Sequence, residues 1–145
     1  MKPQFENNWL SKSLESLEKD YWKDEIEYSS HLIETCHTLR KKPLKDLQTE
    51  DLRIMIGQDI GLLYLIPLAI EVLQKDILAS GDFYEGDLLQ SVLTSDTNYW
   101  KNELDNWQKV YNLFHTNENL LKQFDIINPV KGKWFNAFAK FEKIH

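Results

Sequence analysis

Apolar residues recur at every third or fourth position along most of the chain, the spacing of a helix face. Leu10, Leu14, Leu17 and Tyr21 step by four, three and four, which predicts one helix. Tyr28, Leu32, Cys36 and Leu39 repeat the pattern, with Ser29 or Ser30 placed near its start. Lys41, Lys42 and Pro43 end it, since cations suit a helix C-terminus and a proline disfavours helical geometry in the residue before it. Thr49 reads as an N-cap, with Glu50 and Asp51 in the first turn and Leu52, Met55 and Ile56 as a buried stripe. Gly57 and Gly61 either end this helix or admit a neighbouring backbone. The next helix runs to about Lys75, and Pro67 inside its apolar pattern opens a helix or kinks one.

The chain then turns at Ser80-Gly81-Asp82 and again at Gly86, leading into Asp87–Leu93. A long helix is expected from about Asn98, because Trp100, Leu104, Trp107, Tyr111 and Phe114 form the clearest amphipathic stripe in the sequence. Asn117 and Glu118 open a short helix carrying Leu120, Leu121 and Phe124. Pro129 and Gly132 precede a last one with Trp134, Phe138 and Phe141 on one side. No period-two alternation, Asn-Gly hairpin signal or internal repeat is visible. The expectation is an all-α, single-domain bundle of six to seven helices with short loops, spanning residues 1–145.

Composition narrows the class. Hydrophobic residues make up 42% and charged ones 28%, with five Gly and four Pro, which excludes collagen-like, low-complexity and wholly disordered chains. Five Trp, seven Phe and six Tyr predict a core rich in aromatic rings. One cysteine, Cys36, leaves no intramolecular disulfide and fits a reducing compartment. Met1–Asn8 is polar, without the apolar stretch of a signal peptide. The longest apolar run, Ile60–Leu73, falls short of the ~20 residues a membrane span needs, so a cytosolic protein without membrane contact is expected.

The net charge of −6 is unevenly distributed. Residues 1–44 hold seven Lys/Arg against eight Asp/Glu, residues 45–128 six against fourteen, and residues 129–145 four against one. An acidic middle repels phosphates, which argues against nucleic-acid binding, and attracts a basic partner.

Catalytic motifs are missing: there is no nucleophile elbow, P-loop, dinucleotide-binding glycine pattern or H-E-x-x-H. Glu34-x-x-His37 and Glu142-x-x-His145 match the Glu-x-x-His pairs with which helical bundles hold two metal ions. However, Glu34 points away from the apolar stripe and His145 is the last residue, where helices fray. Neither catalytic residues nor a metal or other cofactor are therefore expected. Cys36 falls on the apolar stripe and reads as an inert buried thiol, since adjacent His37 diverges from it around the helix. The stretch from Asp82 to Asp105 mixes Phe83, Tyr84, Tyr99 and Trp100 with Asp82, Glu85, Asp87, Asp96, Glu103 and Asp105. Aromatic area beside carboxylates suits the binding of a basic protein, and those six acids are the candidate partner-binding residues.

Several longer strings carry a resemblance. Leu39-Arg-Lys-Lys-Pro-Leu44 is followed by Glu50-Asp-Leu-Arg-Ile-Met-Ile-Gly-Gln58, Ile60-Gly-Leu62 and Tyr64-Leu-Ile-Pro-Leu-Ala-Ile-Glu71. Gly81-Asp-Phe-Tyr84 and Gly86-Asp-Leu-Leu89 close the series. Together they resemble the immunity proteins of bacterial contact-dependent growth inhibition systems, from about Leu32 to Leu93. Members of that family often carry Pro where this chain has Ile77 and Glu85, a departure expected to leave the fold unchanged. The resemblance implies a non-enzymatic inhibitor that binds the C-terminal toxin domain of an exoprotein one-to-one in the cytosol. Many such toxins are nucleases with basic substrate sites, which agrees with the acidic middle of this chain. Within the shared strings, Arg53, Gln58 and Asp82 are expected to fix buried hydrogen bonds.

Two other classes fit parts of the sequence. A metal-dependent bundle enzyme would use Glu34, His37, Glu142 and His145, and a homo-oligomeric scaffold would bury surplus aromatics against its own copies. For the toxin-binding reading, reversing Glu85, Asp87 and Asp96 to Lys is expected to weaken association while leaving the domain folded.

Overall fold

The computed structural model describes residues 7–22, 30–127 and 132–145, without the side chains of residues 126 and 127. Among them lie nine α-helices: α1 (Leu14–Glu18), α2 (His31–Arg40), α3 (Thr49–Gly57), α4 (Leu62–Lys75), α5 (Asp87–Leu93), α6 (Thr97–Lys101), α7 (Leu104–Thr116), α8 (Glu118–Ile127) and α9 (Lys133–Phe141). Single 3-10 turns occur at Trp9–Ser11, Leu44–Asp46 and Glu142–Ile144. The described residues contain no β-strand, only an isolated bridge between Ser13 and Pro43. The all-α expectation holds, with more and shorter helices than six or seven.

The central element is α4, whose residues Leu62, Leu65, Ile66, Ala69, Ile70 and Leu73 are buried at the spacing of a single face. It lies against α3, α5 and α7, while α5 sits between α3 and α9. Pro67 neither opens α4 nor ends it; the helix runs through it. Gly61 precedes α4 with φ 65, a left-handed conformation that favours glycine. A Cβ there would stand 2.6 Å from Leu14 Cδ1, so the absent side chain lets α1 dock its one buried residue.

Three expected helices differ in detail, each for a local reason. The stripe Leu10–Tyr21 breaks into a 3-10 turn and α1, leaving Leu10 40% and Tyr21 64% exposed. Ser13 accepts from the Ser16 amide at 3.3 Å, a capping role that competes with a helix interior, and Lys19 at φ 54 ends the segment. Helix α3 starts one residue earlier than a Thr49 cap implies. Asp51 accepts from the Gln48 amide at 2.9 Å, so Gln48 takes the cap position. The long helix expected from Asn98 splits at Asn102 and Glu103 into α6 and α7. Trp100 faces the core from α6, and Leu104 is left 55% exposed at the start of α7.

Ser30 caps α2 by accepting from the Ile33 amide at 3.2 Å, and Lys41 closes the helix as expected. Tyr28 and Ser29 lie outside the described residues. Cys36 is buried, and burial pushes its thiol pKa up. Arg40, only 3% exposed, pairs with Glu18, donates to the Asp20 carbonyl and lies 4.7 Å from the Trp22 ring centre. It ties the end of α2 to the segment after α1.

The aromatic residues gather on the C-terminal side. Phe114 of α7 stacks on Phe138 of α9 with centroids 3.9 Å apart, and Trp100 meets Phe141 edge-on at 4.9 Å. Three buried indoles each have an acceptor: Ser95 Oγ for Trp100, the Phe141 carbonyl for Trp107 and the Gly86 carbonyl for Trp134.

Candidate functional site

Of the six candidate acids, Asp82 and Glu85 form one exposed group, Asp96 stands apart, Glu103 and Asp105 lie at the start of α7, and Asp87 is buried. Helices α3 and α5 run side by side in the same direction, because acids join them at both ends. Before α5, the Asp82 amide donates to Glu50 Oε1 at 2.8 Å, near the start of α3. After α5, the Asp96 amide donates to Asp59 Oδ1 at 2.9 Å, just past the end of α3. Asp82 and Glu85 are therefore exposed at the leading end of this helix pair and Asp96 at its trailing end. At 1.5 Å per residue, α5 separates the two groups by about 10 Å along its axis. Glu103, half-buried, precedes α7, and Asp105 is exposed in its first turn.

Asp87 does not belong to the acidic surface. It is 2% exposed, and its carboxylate accepts from the amides of Gly81 at 2.7 Å, Phe83 at 3.1 Å and Tyr84 at 3.3 Å. A carboxylate three to six residues past these amides is well placed to hold a turn, and this one closes the loop before α5. Replacing it with Lys would bury a cation and orphan three donors. The triple reversal that includes Asp87 is thus a folding defect rather than a test of a surface, and the useful set is Asp82, Glu85 and Asp96.

Beside Asp87 lies a charged pair on α3. Arg53 Nε and one terminal nitrogen donate to the two Glu50 oxygens, each at 2.6 Å, a bidentate fork. The Asp87 carboxylate is 3.6 Å from Arg53 Nε. Hydrogen bonding from Arg53 holds the Glu50 carboxyl below its usual range despite some desolvation, and the bond to Glu50 in turn raises Arg53. Burial pushes the neighbouring Tyr84 hydroxyl up. Over the guanidinium sits the Phe83 ring, its centre 4.0 Å from Cζ, while the phenyl group remains 71% exposed.

The sequence assigns Arg53 a fixed polar role but does not join it to Glu50, Asp87 and Phe83. The legible part of that signal was Glu50 and Arg53 three apart on one helix; the rest arrives from across the fold. Gln58, expected to fix a buried hydrogen bond, is exposed at the end of α3. Gly86 behaves as expected of a turn, with φ 85. A Cβ there would lie 2.1 Å from Trp134 Cζ2, so the glycine also lets α9 approach the loop.

The two Glu-x-x-His pairs do not converge. Glu34 is exposed on α2 and His37 meets the edge of Trp22, whereas His145 Nε2 lies 2.7 Å from the Trp100 carbonyl with its ring against Trp107. Among the described residues, no group of three or more His, Cys, Asp or Glu is arranged to hold a metal ion. No helix among them is long and apolar enough to cross a membrane. The arrangement on α3 and α5 is suited to presenting a shaped, charged surface.

A family model described as CDI immunity proteins, CDI standing for contact-dependent growth inhibition, matches residues 16–110. That span, nearly two thirds of the chain, runs from α1 into α7 and contains Glu50, Arg53, Phe83 and Asp87. No curated protein and no solved structure matches.

Proposed function

Because the chain belongs to the family of contact-dependent growth inhibition immunity proteins, we propose that it neutralises a basic nuclease toxin by covering it with the acidic edge of α3 and α5. Immunity against a toxin of such a system is the family's role. The observation that carries the finer reading is the exposure of Asp82, Glu85 and Asp96 at the two ends of one helix pair, in a region with six Lys/Arg against fourteen Asp/Glu. Asp105 in the first turn of α7 and the half-buried Glu103 before it are further acids of the same region. A stable complex buries about 1,600 Å² in total, roughly 800 Å² on each partner, enough to include both exposed groups. Complementary charge speeds the encounter and rejects acidic partners. The complex is one-to-one and forms in the cytosol, where it occludes the nucleic-acid cleft or its rim without chemistry by the inhibitor.

The test combines binding and function. The purified toxin domain is titrated with the protein by calorimetry, and toxin activity is assayed across the same ratios. One-to-one binding with matching loss of nuclease activity is expected. A variant carrying Asp82→Lys, Glu85→Lys and Asp96→Lys should stay folded and associate at least tenfold more slowly at low salt. Absence of a complex at micromolar concentration would refute the reading, and an unaltered association rate in the variant would move the interface off this edge.

A further inference from the structure

Phe83 is the most exposed of the large hydrophobic side chains among the described residues, at 71%. Single exposed apolar residues are common and are normally free to move. This one is held from both sides. Its own amide and that of Tyr84 donate to Asp87, the preceding Asp82 amide donates to Glu50, and its ring rests on the Arg53 guanidinium at 4.0 Å. To hold it, the fold draws three charged groups largely out of water: Glu50 19%, Arg53 14% and Asp87 2% exposed. Desolvated ion pairs contribute little net stability compared with apolar packing, so stability alone does not explain such a network beneath an exposed ring. Its evident consequence is a turn already fixed in one shape, with an aromatic tip flanked by the exposed acids Asp82 and Glu85.

We propose that the Asp82–Glu85 turn is the hot spot of the toxin interface, with Phe83 seated in an apolar pocket of the toxin whose rim carries Lys or Arg facing Asp82 and Glu85. This rests on the immunity reading above and specifies where its binding energy is concentrated. An ordered aromatic at the centre of a patch loses little freedom on association, the condition under which a few side chains dominate affinity. The Glu50–Arg53–Asp87 network positions the turn and does not itself touch the toxin. Charge complementarity selects the partner: the carboxylates of Glu50 and Asp87 already face Arg53, which leaves Asp82 and Glu85 as the exposed negative groups of the turn. Lys133, whose ammonium lies 5.8 Å from the Tyr84 ring centre, borders the turn on the α9 side.

The experiment titrates the catalytically inactive toxin domain with the wild-type chain, with Phe83→Ala, and with the double variant Asp82→Asn/Glu85→Gln. All titrations are run at a temperature where circular dichroism shows each chain fully folded, and melting curves are recorded alongside. Phe83→Ala is expected to weaken binding by at least about 30-fold, mostly through faster dissociation, and to shift the melting temperature by no more than about 2 °C. The double variant is expected to lower the association rate several-fold and to flatten its dependence on salt. Wild-type affinity in Phe83→Ala overturns the hot spot, and if its melting temperature falls as well, Phe83 is only a cover for Arg53. An unchanged salt dependence in the double variant overturns the basic rim. Failure of the wild-type chain to bind refutes the immunity reading itself, a separate result.

Discussion

Around α7 and α9 the contacts are apolar and aromatic, with Phe114 flat against Phe138 and each buried indole satisfied by one acceptor, while the leading ends of α3 and α5 are joined by carboxylates, a guanidinium and backbone amides. Both regions are ordered, by different physics. Ring burial removes large apolar areas from water, so it supplies stability with little dependence on pH or salt. The charged network gains little net free energy but gives direction: each acceptor fixes a particular amide, and a loop with an exposed aromatic keeps one shape. Stability and presentation are thus allotted to separate faces. Trp134 connects them, since it belongs to the aromatic side and donates to the Gly86 carbonyl at 3.0 Å.

The contrast is open to breaking at several points. Phe114→Ala should produce the largest change, destabilising the fold by about 3–5 kcal/mol in urea unfolding, because a fully buried ring leaves a cavity. If the regions are separate, toxin affinity measured where this variant is still folded should match wild type; a parallel loss of affinity would show that they are coupled. Gly86→Ala attacks the junction. It places a side chain at φ 85 and 2.1 Å from Trp134, so a loss of about 2–4 kcal/mol is expected together with weaker toxin binding.

Smaller effects should arise on the polar side. Arg53→Met leaves Glu50 and Asp87 without their cation, and partial exposure of the pair limits the cost to about 1–3 kcal/mol by urea unfolding. Its signature is disproportionate: toxin affinity should fall further than stability, with faster exchange of the Asp82, Phe83 and Tyr84 amides by hydrogen-exchange measurement. The mildest probe is acid. The Glu50 pKa is lowered in the folded protein, so its contribution is fully present above the ordinary carboxyl range and disappears as pH falls through the folded value. Urea midpoints should therefore be insensitive to this group above about pH 5 and decline below about pH 4. Glu50→Gln should remove that part of the decline and leave the aromatic face untouched. Identical acid profiles for the two proteins would mean that Glu50 contributes nothing to the stability of the Glu50–Arg53–Asp87 network.

How far these features could be read beforehand depends on how local they are. The end of α4 at Lys75, a serine cap at the start of α2, the stop at Lys41 and the apolar side of α9 follow from spacing and capping chemistry within ten or so residues, and the structure reproduces them, with Ser30 as the cap. The breaks near Ser13 and Asn102 were less visible, because periodicity ignores the competition of polar side chains for backbone groups. Of the six candidate acids, Asp87 was misread because a carboxylate in a turn looks the same in sequence whether it faces water or three amides.

The order of residues alone is enough for the helical class, most of the apolar faces, the uneven charge and the resemblance to an immunity family. What covers each face, and which acids remain outside, emerges from the packing of distant segments. The amide of Asp82 finds Glu50 across 32 positions and the Trp134 indole finds Gly86 across 48. Helical period reports which side of a rod is apolar, a property of neighbours in the chain. Burial of Asp87 and exposure of Phe83 are instead set by elements that meet only when the chain has folded, as a short-range pattern carries no record of its distant partners.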